Sequence, residues 1–312
     1  MKINWKGVFP AVTTKFTEDN RLDIEWFLKN IDAQITAGVD GIILGGTLGE
    51  ASGLEDEEKY TLLKSAAAFL DGKVPVIMNI TAKTTEAAIE SAQKAEKFGA
   101  NGLMMLPPTN YYADDRETIA YFKAVANATS LPIMIYNNPV DYKIEVTIKM
   151  FEALSVCKNI QAVKESTRDI SNITRMKNTF GNRFSILCGV DTLALESLLM
   201  GADGWVAGLV CAFPKETVAI YRLTKAGRHQ EALEIYRWFL PLLELDINSK
   251  LVQNIKLAEV ATGLGTEHVR APRLPLIGEE RSQVLAIIEK AMASRPTLPE
   301  YLNINHQELV NV

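Results

Sequence analysis

One short junction recurs three times in this chain, each time where a helical pattern passes into an apolar run. Its copies lie at residues 37–41, 98–102 and 200–204. In each copy, the last four residues have the form Gly-x-Asp/Asn-Gly. The first glycine can take the left-handed conformation that ends a helix, and the connection into the next strand is short. Repetition of one helix–strand unit at roughly 30-residue spacing is typical of a (β/α)8 barrel.

Strand-like apolar runs alternate with helical patterns over the first 226 residues. The predicted strands are 7–14, 41–46, 74–80, 102–106, 131–137, 160–166, 184–190 and 204–210. The predicted helices are 22–38, 54–70, 84–98, 114–128, 147–157, 170–180, 192–200 and 215–226. An open three-layer sheet also alternates strands and helices, but no Gly-x-Gly-x-x-Gly fingerprint follows the first strand. We therefore predict an α/β fold, a (β/α)8 TIM barrel, for residues 1–226.

The character of the chain changes after the eighth strand. No further run is strand-like, and three helical stretches follow, at 230–245, 251–264 and 279–293. The Pro/Arg-rich segment 269–275 is typical of an extended connector. We expect residues 227–312 to form a C-terminal helical region packed on the barrel, with a surface tail from about Arg295.

Charge and composition restrict the partners of the chain. Its 312 residues carry a net charge of −5 without a Lys/Arg-rich block, which argues against nucleic acid or an anionic membrane as the main partner. No apolar run is long enough to span a bilayer, and the N-terminus lacks the apolar segment of a signal peptide. The three cysteines lie in or beside apolar runs and are typical of free thiols in a reducing compartment. We expect a cytoplasmic protein with neither a nucleic-acid nor a membrane partner.

Two common kinds of catalytic site have no signature in the sequence. His229, His268 and His306 are isolated, and no His-x-x-x-His or Cys-x-x-Cys pair exists to hold a metal. A serine nucleophile would need a Gly-x-Ser-x-Gly elbow and a histidine at the barrel mouth, and both are missing. We expect a site without a metal ion.

The predicted sixth strand, 160–166, has one lysine in its middle. Side chains alternate along a strand, so Lys164 shares a face with Ile160 and Ala162. Burial on that face disfavours the ammonium ion and favours the neutral amine, which is the nucleophile of Schiff-base chemistry. Taken alone, such a residue is more often a structural lysine that reaches solvent or pairs with a carboxylate. In a barrel, however, functional groups lie at the carboxyl ends of the strands, where Lys164 is placed.

Two other strand ends carry groups that could take part in chemistry. The glycine-rich turn 45–50 can present consecutive backbone N–H groups to a carboxylate, although it could equally be a tight turn without a ligand. Tyr136, at the end of the fifth strand, could shuttle protons or could simply pack with its hydroxyl satisfied. A lysine, a tyrosine and an anion-binding turn together indicate covalent amine catalysis on a 2-oxo acid.

Three motifs in register resemble the dihydrodipicolinate synthase/N-acetylneuraminate lyase superfamily. They are Gly-Thr-Leu-Gly-Glu at 46–50, Tyr-Asn-Asn-Pro at 136–139 and Ala-Val-Lys-Glu-Ser at 162–166. The resemblance implies a Schiff base on Lys164, without a separate cofactor, and proton shuttling by Tyr136. It also implies a carboxylate held by Thr47 and the N–H groups of Thr47 and Leu48, and a homotetramer.

The resemblance extends to further residues around the substrate. It implies the substrate-binding set Gly46, Thr47, Leu48, Asn138, Gly189 and Val206. Many members of the superfamily also bring a tyrosine from a neighbouring subunit into a proton relay. Tyr111 and Tyr112 both lie near that position, and the choice between them stays open.

Two departures from the superfamily bear on the substrate. Synthases of this group usually have a second threonine where Leu48 stands, and an arginine shortly after the Tyr-Asn motif, where this chain has residues 140–143 without one. With Tyr142 nearby, the sequence looks most like the branch of 1-pyrroline-4-hydroxy-2-carboxylate deaminases, which release 2,5-dioxopentanoate and ammonia in hydroxyproline breakdown. We therefore predict a small 2-oxo acid or cyclic imine as the substrate and a deaminase as the activity.

Several other activities remain open within this interpretation. A 4-hydroxy-tetrahydrodipicolinate synthase and a 2-keto-3-deoxy sugar acid aldolase or dehydratase would use the same Schiff base. A non-catalytic sensor of 2-oxo acids on the same fold is the alternative of another class, and the presence of both Lys164 and Tyr136 argues against it.

Overall fold

Parallel strands in a closed ring organise the computed structural model, which describes residues 2–304. The eight strands are β1 Gly7–Pro10, β2 Ile42–Leu44, β3 Val76–Ile80, β4 Gly102–Met105, β5 Ile133–Asn137, β6 Ile160–Glu165, β7 Ser185–Cys188 and β8 Gly204–Ala207. Each strand pairs in parallel with its neighbours in the order β1-β8-β7-β6-β5-β4-β3-β2. A parallel bridge between Ala11 and Ile43, with Val12 N donating to Ile43 O at 3.0 Å, closes the ring. The predicted (β/α)8 TIM barrel is confirmed.

Helices surround the ring and continue beyond it. They are α1 Ile24–Ala37, α2 Asp56–Leu70, α3 Thr85–Lys97, α4 Asp115–Ala128, α5 Pro139–Tyr142, α6 Ile148–Leu154, α7 Ser171–Phe180, α8 Ala194–Leu199, α9 Pro214–Lys225, α10 His229–Leu243, α11 Leu251–Thr262 and α12 Gly278–Ala293. The one-turn helix α5 was not predicted. It begins where the Asn138 side chain accepts a hydrogen bond from Asp141 N, and Pro139 occupies its first position.

The observed strands are shorter than the predicted ones. The first ends at Pro10 rather than at residue 14, and the second ends at Leu44. Gly45 follows with φ +69°, a left-handed conformation that turns the chain out of the sheet. The residues lost from the strands therefore form the loops at the barrel mouth.

The repeated junction has a second function that the sequence did not suggest. Gly38, Gly99 and Gly201 have φ values of +92°, +101° and +99°, so the predicted left-handed glycine is confirmed. The Asp or Asn two residues later accepts a hydrogen bond from the first N–H groups of the preceding strand. Asp40 Oδ2 accepts from Val8 N, Asn101 Oδ1 from Val76 N and Asp203 Oδ2 from Ile186 N, each at 2.9 Å. The junction thus joins adjacent strands as well as ending a helix.

Side chains from alternate positions fill the inside of the barrel. The cluster contains Ile3, Trp5, Phe9, Ile43, Ile77, Met104, Leu106, Met134, Tyr136, Ala162, Leu187 and Val206. The Trp5 ring stacks on Phe9 with centroids 5.8 Å apart, and Trp5 Nε1 donates to Gln161 Oε1 at 3.1 Å. Because Ala162 points inward, the alternation along β6 also directs Lys164 into the barrel.

The C-terminal helices pack against the barrel and share its hydrophobic core. Phe213, before α9, contacts Phe239 of α10 edge-on at 5.5 Å between centroids, and Trp238 Nε1 donates to Ala291 O of α12 at 2.9 Å. The boundary between residues 226 and 227 stays a prediction. Residues 305–312 of the predicted C-terminal region, including His306, lie outside the described residues.

Two ion pairs with both side chains fully buried connect α11 to the barrel mouth. Lys256 Nζ lies 2.5 Å from Glu50 Oε1, and Lys15 Nζ lies 2.9 Å from Glu259 Oε1. Lys256 Nζ also donates to His268 O at 2.6 Å, and Glu50 Oε2 accepts from the backbone N–H of Arg270 at 3.0 Å. Burial lowers the pKa of Lys256 to about 8, against the opposing effect of the Glu50 carboxylate.

Within residues 2–304, Cys188 and Cys211 are buried, Cys157 is partly buried, and all three are free thiols, as predicted. No helix in the same part of the chain is long and apolar enough to cross a membrane.

The buried pair leads to a stability prediction. Lys256→Met leaves Glu50 as an uncompensated buried charge, so we expect the free energy of unfolding to fall by about 3–5 kcal/mol in chemical denaturation. Lys250→Met is the matched control, because its pair with Glu280 is exposed and should contribute less than about 1 kcal/mol. Adding Glu50→Gln to Lys256→Met should recover part of the loss. Equal effects of the two lysine substitutions would contradict the prediction.

Candidate active site

A cavity of about 510 Å³ opens among the loops at the carboxyl ends of the strands. All the catalytic and substrate-binding residues expected from the sequence line it: Lys164, Tyr136, Thr47, Leu48, Gly46, Asn138, Gly189 and Val206. The barrel therefore brings together residues from β2, β5, β6, β7 and β8 and the loops that follow them. The role of each residue stays a prediction.

Lys164 lies beside Tyr136 because β5 and β6 pair with these two residues in register. The Lys164 side chain is buried at 8% exposure, and its Nζ lies 4.0 Å from the centroid of the Tyr136 ring. In the described part of the chain, the amine has no ion pair and no hydrogen bond. It is therefore held in place by packing and by the aromatic face, with its lone pair or protons free for a substrate.

Gly189 makes room for the Lys164 side chain. A Cβ atom at this position would lie 2.6 Å from Lys164 Cγ and 2.7 Å from Lys164 Cε, far inside van der Waals contact. It would also lie 2.1 Å from Ser166 Oγ. The structure thus gives Gly189, expected to bind substrate, a direct contact with the candidate nucleophile.

Ser166 was not assigned a role from the sequence, although it shares the inward face of β6 with Lys164. Its Oγ is buried, lines the cavity and has no hydrogen-bond partner among the described residues. The strand alternation was the signal that could have found it.

The turn at 45–50 presents free donors to the cavity. The backbone N–H groups of Thr47 and Leu48 donate to no acceptor in the described residues. The turn is held from outside: Thr14 Oγ1 donates to Gly49 O at 2.6 Å, and Asn79 Nδ2 donates to Gly45 O at 2.9 Å. Two adjacent unpaired N–H groups in a fixed turn can bind a carboxylate, which supports the anion-binding interpretation.

Tyr142 enters the site from the short helix α5. Its hydroxyl is hydrogen-bonded to Thr47 Oγ1, and either group can donate. Its ring packs edge-on against Tyr136 with centroids 5.7 Å apart. Burial raises the pKa of Tyr142 to about 12, although the Thr47 hydrogen bond opposes this effect. In the sequence, Tyr142 served only to indicate the branch of the superfamily. In the structure it contacts two predicted catalytic residues, Thr47 and Tyr136.

Tyr136 belongs to a polar chain that ends at a carboxylate. Its hydroxyl accepts a hydrogen bond from Asn138 Nδ2 at 3.0 Å, and the same Nδ2 donates to Asp141 Oδ2 at 2.7 Å. Asn138 thereby fixes the phenol in the cavity, so its predicted place near the substrate has a geometric basis.

Tyr111 and Tyr112 are not brought into this cavity. Their side chains are 56% and 76% exposed, and neither lines it. Within the chain, the phenol beside Thr47 is Tyr142 instead. A contribution of Tyr111 or Tyr112 to another subunit stays a prediction.

The far part of the cavity carries charges of both signs. Asp141 lies in segment 140–143, where synthases of the superfamily usually have an arginine. Arg168, in the loop after β6, lines the same cavity. Arg168 has φ +65°, in the left-handed region that favours glycine, and its guanidinium has no partner in the described residues. Strain of this kind in a non-glycine residue is frequent at ligand-binding positions. Asp246, in the loop between α10 and α11, also lines the cavity.

An inward lysine, a facing tyrosine and free carboxylate-binding N–H groups at the mouth of a (β/α)8 barrel define a lyase of the class I aldolase type. The model of the dihydrodipicolinate synthetase family matches residues 4–291, and the chain belongs to this family. Enzymes of this family form a Schiff base on a lysine and need no external cofactor.

Relatives cover nearly the whole chain. The 4-hydroxy-tetrahydrodipicolinate synthase of Exiguobacterium sibiricum is 32% identical over 285 residues, which are 91% of this chain and 96% of that protein. Dihydrodipicolinate synthase DapA-2 of Bacillus anthracis superposes with a TM-score of 0.88 at 26% identity, covering 96% of this chain and 100% of that one. YagE, a prophage protein of the same family from E. coli, was solved with pyruvate; it has a TM-score of 0.86 at 28% identity, with 92% and 98% coverage.

The close contact at Gly189 can be tested directly. Gly189→Ala must displace the Lys164 side chain, so we expect borohydride trapping of pyruvate, followed by intact mass, to slow by about tenfold to a hundredfold. Gly53→Ala is the control, because a Cβ atom there meets nothing closer than 3.8 Å. Unchanged trapping in Gly189→Ala would show that the contact does not position the amine.

Proposed function

We propose that this chain is a Schiff-base lyase that acts on a 2-oxo acid, and that Lys164 is its nucleophile. The observation that carries the proposal is the Lys164 amine, 4.0 Å from the Tyr136 ring, in one cavity with the N–H groups of Thr47 and Leu48. Neither the amine nor these N–H groups have a partner within residues 2–304. The amine can attack the C2 carbonyl while the turn holds the C1 carboxylate. The pyruvate bound to the related E. coli protein supports a 2-oxo acid here.

The chemistry follows from these positions. The Lys164 amine adds to C2, the resulting hydroxyl takes a proton from the Tyr136 phenol and leaves as water, and a protonated Schiff base remains. This cation withdraws electrons from C3, so the Tyr136 phenolate can take back a proton from C3, and the C3–H electrons form an enamine. Tyr142, whose ring packs edge-on against Tyr136 and whose hydroxyl is hydrogen-bonded to Thr47 Oγ1, adds a second pair of hydroxyl groups beside this step. Hydrolysis of the Schiff base regenerates Lys164.

The particular activity we propose is 4-hydroxy-tetrahydrodipicolinate synthase. The relatives from Exiguobacterium sibiricum and Bacillus anthracis carry the names of such synthases, whereas the comparisons do not support the deaminase predicted from the sequence. The missing arginine after the Tyr-Asn motif was one of the two arguments against a synthase, beside Leu48. Arg168, in the loop after β6, lines the same cavity, has a guanidinium without a partner among the described residues and can bind the carboxylate of the second substrate.

A deaminase acting on 1-pyrroline-4-hydroxy-2-carboxylate is the second candidate, favoured by two side chains. Leu48, at 5% exposure, stands where a threonine hydroxyl would extend the proton relay. Asp141 places a carboxylate where synthases of this superfamily have an arginine, and it would repel an anionic substrate group. The homotetramer and the cytoplasmic location are further parts of the proposal, supported by the family resemblance and by composition respectively.

Trapping tests the nucleophile. Incubation with pyruvate and borohydride should add the mass of one reduced pyruvate to the native chain and none to Lys164→Ala. Lys158→Ala, which changes an exposed lysine just before β6, should trap like the native chain. An adduct that persists in Lys164→Ala would disprove the proposed nucleophile.

Substitution of Arg168 tests the substrate. In a synthase assay with pyruvate and aspartate semialdehyde, Arg168→Ala should raise the KM for the semialdehyde by about tenfold to a hundredfold, because a charged hydrogen bond is lost. Pyruvate trapping should not change. Ammonia release from 1-pyrroline-4-hydroxy-2-carboxylate, without synthase activity, would favour the second candidate and would make Asp141 the relevant charge.

A further inference from the structure

Asp246 is the cavity-lining carboxyl group that the proposed chemistry leaves without a role. It follows α10 in the loop that leads to α11 and lines the same cavity as Lys164 and Tyr136. Its position therefore brings the C-terminal helical region into the candidate active site, far along the sequence from the three motifs.

The barrel leaves room for this carboxyl group at Gly208. A Cβ atom on Gly208 would lie 2.4 Å from Asp246 Oδ1, so a larger residue there would displace it. The backbone at this point is itself fixed, because the Asp191 carboxylate accepts hydrogen bonds from Gly208 N at 3.1 Å, Leu209 N at 2.9 Å and Trp205 Nε1 at 2.8 Å. The Asp246 carboxyl group thus packs against a backbone segment, Gly208–Leu209, that Asp191 holds in place.

The two neighbouring carboxyl groups differ in their partners. Asp191 has its hydrogen bonds satisfied inside the protein, whereas the Asp246 carboxyl has no hydrogen bond or ion pair among residues 2–304. A partly buried carboxyl group that has no partner is unfavourable as an anion unless it is protonated or meets a ligand.

The charges around Asp246 favour its protonated form. Burial, with the carboxylates of Asp191 and Asp141, raises its pKa well above the usual range, and Lys164 acts in the opposite direction. The other titratable groups that line the cavity are Arg168, Tyr136 and Tyr142. A perturbed carboxyl group in a cavity with a candidate nucleophile is a candidate for acid–base catalysis.

We propose that Asp246 is a catalytic acid that donates its proton to the oxygen on C4 of the Schiff-base adduct. The inference rests on the proposed function and applies to both candidate activities, because each has an oxygen on that carbon. Tyr136 removes the proton from C3. With Asp246 as a second group, the proton that the C4 oxygen receives comes from a different side chain.

The electron and proton movements balance in both reactions. In a condensation, the enamine electrons form the new bond from C3 to the aldehyde carbon, and the carbonyl oxygen takes the Asp246 proton to become the 4-hydroxyl. In an elimination, the enamine electrons form a bond between C3 and C4, the C4–O bond breaks, and the oxygen leaves as water with the Asp246 proton. In each case Asp246 becomes a carboxylate and regains a proton from solvent.

The test separates proton transfer at Asp246 from Schiff-base formation at Lys164. Asp246→Asn keeps the shape of the side chain but cannot transfer a proton, so we expect kcat to fall about 100-fold to 1,000-fold. Borohydride trapping of pyruvate should stay within about twofold of the native rate. Glu244→Gln, an exposed neighbour on the same loop, should keep full turnover and full trapping.

The pH profile gives a second readout that a purely structural role would not change. Asp246 must be protonated to act, so native kcat should decline as pH rises through its raised pKa, and Asp246→Asn should lack this decline. Native turnover in Asp246→Asn, or loss of trapping in parallel with turnover, would overturn the inference. Absence of trapping in the native chain would instead refute the Schiff-base function, and with it any role of Asp246 in that reaction.

Discussion

The two buried ion pairs between α11 and the barrel mouth are the constraint on which the site depends. A charge removed from water must keep its partner, so Lys256 and Glu50 fix each other, as do Lys15 and Glu259. Glu50 ends the glycine-rich turn and has φ +54°, so its anchoring sets the path of residues 46–50. The N–H groups at 47 and 48, which have no acceptor in the described part of the chain, therefore lie in a turn that is anchored by a helix some 200 residues later in the chain.

The parallel register of β5 and β6 supplies the other half of the site. Because Tyr136 pairs with Lys164 and each stands two residues after an inward-facing residue, Met134 or Ala162, the lysine and the phenol must meet inside the barrel. Gly189, directly after β7, has no side chain to prevent this contact. The position of the amine thus results from β5, from β6 and from the residue that directly follows β7, and from the rigidity of that arrangement.

Substrate choice depends on a different set of residues. Arg168, Asp141 and Asp246 all belong to loops or to the ends of helices, and they put one cation and two carboxyl groups around the reactive centre. We propose that such charges decide which second substrate or leaving group is accepted, whereas Lys164 and Tyr136 decide the reaction class. Family membership is therefore a better guide to the mechanism of this chain than to its substrate.

Sequence alone was sufficient for the barrel, because strand alternation and glycine-ended helices are local patterns. The eight cavity residues were expected from the three motifs together with the resemblance to the superfamily. The sequence did not place Tyr142, Ser166, Arg168 or Asp246 in the site, and it left Tyr111 and Tyr112 as relay candidates that the chain's own cavity does not contain. Loops have no period, and their convergence depends on packing between distant elements. Local periodicity therefore determined which residues face inward, and only the tertiary structure decided which loops meet above them.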